Sequence, residues 1–301
     1  MEDLRSFKSV DRMMGELKLL TRSANTEKTY LKGLRQFFRH LGVENPDELV
    51  ENMKSGRRDA NETYRDFVVK LASSNLAPKS VAAWSASLKK FLSANGIEVT
   101  KKVPIKVYNI HEDSLPTREE LRRVYEAGNI KAKVCIAMMS SGGLRIGELH
   151  QLKMGDVNLD KDPATIRVRA AGAKERKGRI TFVTGEAKKI LEEYIATRKS
   201  KGPDAPLIST DDERSMTYQN LQFILNNAMR KFSAKEGKRF KMHPHSLRKW
   251  FKTQLIAAGV PGPIVDRLTG HARYLAQEYE LYTEDQLREW YSKGANSLQI
   301  M

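Results

Sequence analysis

Cysteine is nearly absent from this chain: Cys135 is the only one in 301 residues. No disulfide framework can form within it, which fits a reducing compartment. Cys135 lies in the apolar run Val134-Cys135-Ile136-Ala137-Met138-Met139 and reads as a packed core residue rather than a nucleophile. Long apolar runs are missing too, and none approaches the roughly 20 residues of a membrane-crossing helix. The N-terminus is charged from Glu2 onward and carries no signal-peptide pattern, so a cytoplasmic protein is expected. There is no Gly-x-x-x-x-Gly-Lys-Ser/Thr loop and no acidic cluster suited to two magnesium ions. Nucleotide-driven and two-metal phosphoryl chemistry are thereby set aside. Internal repeats are also lacking, which sets aside solenoids.

Acid is in deficit. Lys and Arg number 53 against 37 Asp and Glu, a formal net charge of +16. Hydrophobic content of 40% with 30% charged residues describes a globular chain, and the length suggests two domains. Such a basic balance favours a polyanionic partner, most simply nucleic acid. The excess is uneven. Residues 1–100 hold 17 basic against 13 acidic residues, and the remainder holds 36 against 24. The second part therefore carries most of the positive field.

The pattern along the chain predicts a mainly α protein with a small β-sheet. Tyr30, Leu31, Leu34, Phe37, Phe38 and Leu41 form one apolar stripe of a helix over 26–41. Val81, Trp84, Leu88, Phe91 and Leu92 repeat it over 79–94 after Pro78, and Tyr64 to Leu71 is helical between them. Residues 1–100 are thus expected to be a helical unit, 101–115 a linker, and 116–301 a second, α+β unit. Thr117-Arg118-Glu119-Glu120 is a capping box that opens the second unit. Ile166 and Val168 alternate with Arg167 and Arg169, and Ile180 and Phe182 alternate with Arg179, Thr181 and Val183, which predicts a β-hairpin. Its connection, Ala170 to Gly178, is long and basic. Further helices fit 186–198, 217–232, 245–258 and 262–268.

Chemistry concentrates in the second unit. Arg145 stands in Gly142-Gly143-Leu144-Arg145-Ile146-Gly147-Glu148-Leu149, His245 and Arg248 form a His-x-x-Arg pair, and His271 follows in Leu268-Thr269-Gly270-His271. Tyr274, Tyr279, Tyr282 and Tyr291 come after it. Arginine forks hold non-bridging phosphate oxygens, histidines donate hydrogen bonds and move protons, and a tyrosine can attack and hold a broken end. Glu148, one helical step after Arg145, is placed to orient that arginine or to form an ordinary surface ion pair. His243, beside Pro244, reads as structural or exposed.

Taken together these motifs resemble the tyrosine recombinases, the site-specific recombinases that include lambda-type integrases and Xer-type resolvases. Gly143 to Leu149 resembles the family's first arginine box, His245-Ser246-Leu247-Arg248 its His-x-Leu-Arg box, and Leu268 to His271 its Leu-Gly-His box with Thr269 inserted. Leu281-Tyr282-Thr283 resembles the nucleophile segment. The resemblance covers nearly the whole chain and implies a two-domain DNA clamp, with an N-terminal helical core-binding domain ahead of the catalytic one. It implies that Arg145 and Arg248 bind the scissile phosphate, with His245 and His271 in support. It also implies a general-acid lysine on the hairpin, Lys174 with Lys177 as rival, and a nucleophile, Tyr282 with Tyr279 as rival. Arg176, Lys177 and Arg179 are expected to touch flanking DNA phosphates. Lys28, Arg35 and Lys89, with Lys32, Arg39, Lys79 and Lys90, are expected to do so from the first unit.

The reaction so implied is DNA transesterification through a 3′-phosphotyrosine, with no cofactor, metal or ATP. The partners implied are double-stranded DNA, a homo-tetramer on synapsed sites and an accessory directionality factor, with no membrane and a nucleoid-associated location. The tail after Tyr282 carries an apolar stripe, Leu287, Trp290, Tyr291 and Leu298, suited to docking on a neighbouring copy or on its own domain. The short leader before residue 21 leaves little room for a separate arm-binding domain. A type IB-like topoisomerase and a catalytically inactive DNA-binding regulator are the alternative functions.

Overall fold

The structure is a computed structural model that describes residues 3–21, 23–101, 103–108, 114–170, 178–233, 235–236, 239–271 and 282–301. The chain divides into two compact units, Met1–Glu112 and Asp113–Met301.

The first unit is helical: α1 (Lys8–Leu20), α2 (Ala24–Leu41), α3 (Pro46–Lys54), α4 (Ala60–Ala72) and α5 (Pro78–Ala94). The stripe read on α2 is its buried face, and Phe37 and Phe38 meet Phe67 and Phe91 edge-on at 5.1 and 5.5 Å. Helix α1 was not anticipated from the sequence. It buries Val10, Met13, Met14 and Leu17 at i, i+3, i+4 and i+7. Two methionines in that stripe and Gly15 within it dilute the periodic signal. Lys28, Arg35 and Lys89 are exposed on α2 and α5. Lys90 is paired with Glu16 at 2.5 Å, and Lys32 lies over the Trp84 ring.

The second unit opens with α6 (Arg118–Ala127), where the Thr117–Glu120 capping box forms as expected. Helix α7 (Ile130–Gly142) is buried on nearly every side, Cys135 included. After the short α8 (Ile146–Leu149) come β1 (Val157–Asn158), β2 (Ala164–Val168) and β3 (Arg179–Val183). The expected hairpin is thus part of a three-stranded antiparallel sheet in the order β1-β2-β3, with Ile166 opposite Thr181. The remaining elements are α9 (Gly185–Ala196), α10 (Tyr218–Arg230), the two-residue strands β4 (Lys235–Glu236) and β5 (Arg239–Phe240), α11 (Pro244–Ala257), α12 (Gly262–Thr269) and α13 (Glu284–Gly294).

Arg179 and Thr181, which alternate with the apolar residues of β3, are themselves buried. Strand β3 packs against α7, α12 and α13, so neither of its faces is left to water. The tail packs on its own unit in this single chain. Leu287, Tyr291 and Leu298 are buried in the cluster with Phe182, Phe251 and Leu268, and the Ile300 amide donates to Glu186 at 3.0 Å. Arg288 ties α13 to the sheet by donating to Thr165 Oγ1 at 2.7 Å and by lying over the Phe182 ring, and it pairs with Glu284 within the helix at 2.7 Å.

Helix α7 ends at Gly143 in the left-handed region (φ +61°), with the Gly143 amide donating to the Met139 carbonyl at 3.1 Å. The last turn of a helix leaves carbonyls without intrahelical donors. Here Tyr291 on α13 donates to the Ser141 carbonyl at 2.9 Å, Thr181 on β3 to Gly142 at 2.8 Å, and Arg248 on α11 to Gly143. Three elements thereby fix the segment leading to Arg145. A Cβ on Gly143 would stand 2.5 Å from Phe251 Cδ1. Gly143→Ala is therefore expected to cost about 3 kcal/mol through the left-handed backbone and the overpacked ring. Urea unfolding measures this, and a loss under about 0.5 kcal/mol would show that the turn is not constrained as described.

Candidate active site

Glu148 is the carboxylate around which the site is built. It is 2% exposed, and its oxygens accept from the Arg145 amide at 2.8 Å, Arg145 Nη1 at 2.8 Å and Arg179 Nη2 at 2.9 Å. Arg248 Nη1 lies 3.8 Å away. Three arginines from three distant stretches of sequence thus converge on one buried anion. The ordinary surface ion pair that the i,i+3 spacing also allowed is not what forms. A buried carboxylate is tolerated only when cations and hydrogen bonds replace its lost water.

Arg248 does a second job. It is 1% exposed, and its two Nη groups donate to the carbonyls of Gly143 and Thr269. Those carbonyls lie at the C-terminal ends of α7 and α12, immediately ahead of the Arg145 and His271 segments. Helix α12 ends like α7, with Gly270 at φ +63°. The Gly270 amide donates to Arg267 at 3.2 Å and the His271 amide to Asp266 at 2.9 Å, the paired bonds of a Schellman turn. Glycine is favoured there by the left-handed backbone, and a Cβ would stand 2.8 Å from Arg179 Cδ. The Gly-His spacing of the third motif therefore has a local cause: the glycine turns the chain and the next residue enters the site.

Among the expected site residues, Arg145, Glu148, Arg248 and His271 are brought together. His245 stands one turn before Arg248 on α11, exposed, with its ring stacked on His243 at 6.3 Å between centroids. Tyr282 is half-buried, packs against the Phe182–Phe251–Tyr291 cluster and immediately precedes Thr283, the N-cap of α13. Lys174, Arg176, Lys177, Tyr274 and Tyr279 lie outside the described residues. Arg179 was expected to be a flanking DNA contact and is instead 8% exposed beneath the site. Burial pushes its guanidinium down from the ordinary arginine value, and Glu148 opposes that shift. Its Nε and Nη1 are buried without a hydrogen-bond partner.

The side chain of His271 is 40% exposed, and Nδ1 lies 3.0 Å from Lys252 Nζ. Burial, then Arg248, Lys252 and Arg145, push the imidazole from 6.5 down to about 4, with Asp266 opposing. The ring is therefore neutral at physiological pH. Lys252, which itself binds Asp266 at 2.7 Å, was missed in the sequence. The available signal was its place four residues after Arg248 on the same helix face. Among the described residues, four cations (Arg145, Arg179, Arg248 and Lys252) stand against two carboxylates (Glu148 and Asp266), an excess of positive charge suited to an anion.

Residues 117–286 match the model of the phage integrase family. The chain is similar to tyrosine recombinase XerA of Pyrococcus horikoshii, 28% identical over 281 residues that cover 92% of this chain and 90% of that one. It is similar to tyrosine recombinase XerC of Leptospira interrogans, 29% identical over 199 residues, 65% of this chain and 61% of the other. Among solved structures, the Tn1549 transposon integrase in complex with transposon right end DNA shares its fold. The TM-score is 0.66, with 17% identity, over 95% of this chain and 98% of that one. Since the matched model spans more than half of its length and contains the clustered Arg145, Arg248 and His271, the chain belongs to the phage integrase family, the tyrosine recombinases.

Proposed function

We propose that this chain is a site-specific DNA recombinase that cuts and rejoins strands through a covalent bond to Tyr282. The observation that carries the reading is the Glu148-centred cluster, in which Arg145, Arg179 and Arg248 gather beside a neutral His271. A phosphodiester gains negative charge as its phosphorus becomes five-coordinate, and fixed cations stabilise that state most. Arg145, the most exposed of the three arginines, presents its fork to a non-bridging oxygen. Arg248 supports the same phosphate while it ties the two turns together. His271 donates a hydrogen bond, and His245 assists from the first turn of α11.

Tyr282 attacks the phosphorus in line, and the 5′ oxygen leaves with a proton from the hairpin lysine, Lys174 or Lys177. A second 5′ hydroxyl then attacks the phosphotyrosine, restores the DNA and frees the tyrosine. The first unit, with Lys28, Arg35 and Lys89 exposed, grips the duplex backbone. Exchange between two duplexes requires four such sites, so the working form is a tetramer on DNA, acting at the nucleoid and open to direction by an accessory factor. No helix among the described residues is long and apolar enough to cross a membrane.

The test is a nicked duplex, selected by the protein from a random-sequence pool, in which the freed end diffuses away after cleavage. The wild type is expected to form a denaturant-resistant DNA adduct and Tyr282→Phe to form none, while Tyr279→Phe retains it. Loss of the adduct in Tyr279→Phe alone moves the nucleophile, and no adduct in the wild type overturns the reading. Parallel Lys174→Met and Lys177→Met proteins identify the acid, since only the true one is rescued by a duplex with an activated leaving group.

Two further outcomes follow from the cluster. Arg145→Lys keeps the charge but loses the fork, so cleavage is expected to fall by about a hundredfold or more with duplex binding nearly unchanged. Glu148→Gln leaves buried guanidinium groups uncompensated and is expected to lower stability by about 3 kcal/mol in urea unfolding. A Glu148→Gln protein of wild-type stability contradicts the role given to that carboxylate.

A further inference from the structure

Lys252 follows Arg248 by one turn of α11. Its Nζ lies 2.7 Å from Asp266 Oδ1 on α12 and 3.0 Å from His271 Nδ1. An ammonium group has hydrogens to offer and no lone pair. The Nδ1 atom must therefore be the acceptor. Thr269 Oγ1 lies 3.4 Å from the same nitrogen, but its single hydrogen is directed to the Val265 carbonyl at 2.7 Å. The ring proton is left on Nε2, the nitrogen that does not meet Lys252.

We propose that Lys252 is a positioning residue for strand transfer, one that fixes His271 as the neutral tautomer with its proton on Nε2, while Asp266 holds Lys252 in place. The inference rests on His271 being a phosphate donor, as proposed above. A neutral histidine can carry its proton on either nitrogen, and only one choice presents N–H from the free edge of this ring. A lysine donating to Nδ1 removes that ambiguity, and its ammonium offsets the Asp266 carboxylate that lies 3.9 Å from the same nitrogen. Phosphate recognition gains from such an arrangement, because the lysine keeps positive charge behind the histidine where negative charge develops in the transition state.

The charged groups around His271 come from every element packed near it. Lys252 and Arg248 approach from α11, Asp266 from α12 and Arg145 from the start of α8, while Arg179 on β3 packs against Gly270. The cations and burial together hold the ring neutral down to about pH 4. The sign is that of a depressed value. Between pH 6.5 and 4 the unfolded chain takes up a proton that the folded site refuses, so this site's contribution to stability is intact above 6.5 and is lost as the pH falls.

The experiment uses the full-length protein labelled with 15N in histidine, without DNA. In the wild type, His271 is expected to show an unprotonated Nδ1, a protonated Nε2 and no titration above about pH 5. Lys252→Met keeps the length of the side chain but removes the donor. Its His271 is expected to titrate at a higher pH, toward the ordinary value of 6.5, and to populate both tautomers. On the nicked duplex at pH 8, where the ring is neutral in both proteins, Lys252→Met is expected to cleave about twofold more slowly, because part of its His271 then carries the proton on Nδ1. Lys252→Arg, which restores a donor, should recover most of the tautomer preference. A folded Lys252→Met protein with an unchanged His271 spectrum overturns the proposal whatever the DNA assay gives. A changed spectrum in a chain whose wild type forms no DNA adduct supports the hold of Lys252 on His271 and overturns the recombinase reading instead.

Discussion

One buried carboxylate, Glu148, organises the candidate active site. Glu148 is shielded from water, so its charge survives only because Arg145 and Arg179 donate to it and Arg248 stands close by. The dependence is mutual. Like-charged guanidinium groups placed together repel, and the anion between them makes their convergence tolerable. One carboxylate cannot cancel three arginines. The remaining positive charge is available to a phosphate, which would complete a set of interactions that the protein alone leaves unbalanced. Arg179, with two buried donors that lack partners, shows how far burial has been accepted to keep that charge in place.

The second constraint is geometric. Arg248 fastens the end of α7 to the end of α12 by donating to the Gly143 and Thr269 carbonyls. Both helices stop in a left-handed glycine, and the residues entering the site follow each stop. The proposed catalytic constellation is thus an outcome of helix termination. Carbonyls that need donors at two helix ends are met by side chains from other elements, and satisfying them places Arg145 and His271 in one region. Tyr291 and Thr181 complete the same pattern at Ser141 and Gly142. Arg145, Glu148, Arg248 and His271 are therefore held by elements of the core, which suits chemistry that depends on charges fixed in advance.

Much of this was legible in the residues themselves. The α2 stripe, the Thr117–Glu120 cap and the helices after the sheet follow from periodicity and end signals that act over a few residues. The Gly-x-Arg and Gly-His spacings were readable as motifs, and the structure supplies their local reason. What could not be read was burial imposed from a distance. Arg179 sits in an alternating strand that should leave it exposed, but helices contributed by residues 130–142, 262–269 and 284–294 cover the strand on both sides. Glu148 looked equally like a surface partner for Arg145, because the i,i+3 spacing says nothing about Arg179 arriving 31 residues later. Lys252 carried the right helical phase, yet its meaning depends on where His271 lands.

The central claim is that these scattered cations serve one phosphodiester. The most direct measurement is an experimental structure of the Tyr282→Phe protein on its selected duplex. The account predicts a single phosphate within hydrogen-bonding distance of both Arg145 and His271 Nε2, with Glu148 still holding Arg145 and Arg179 behind it. Arg145 and His271 bound to different phosphates, or to none, would contradict it.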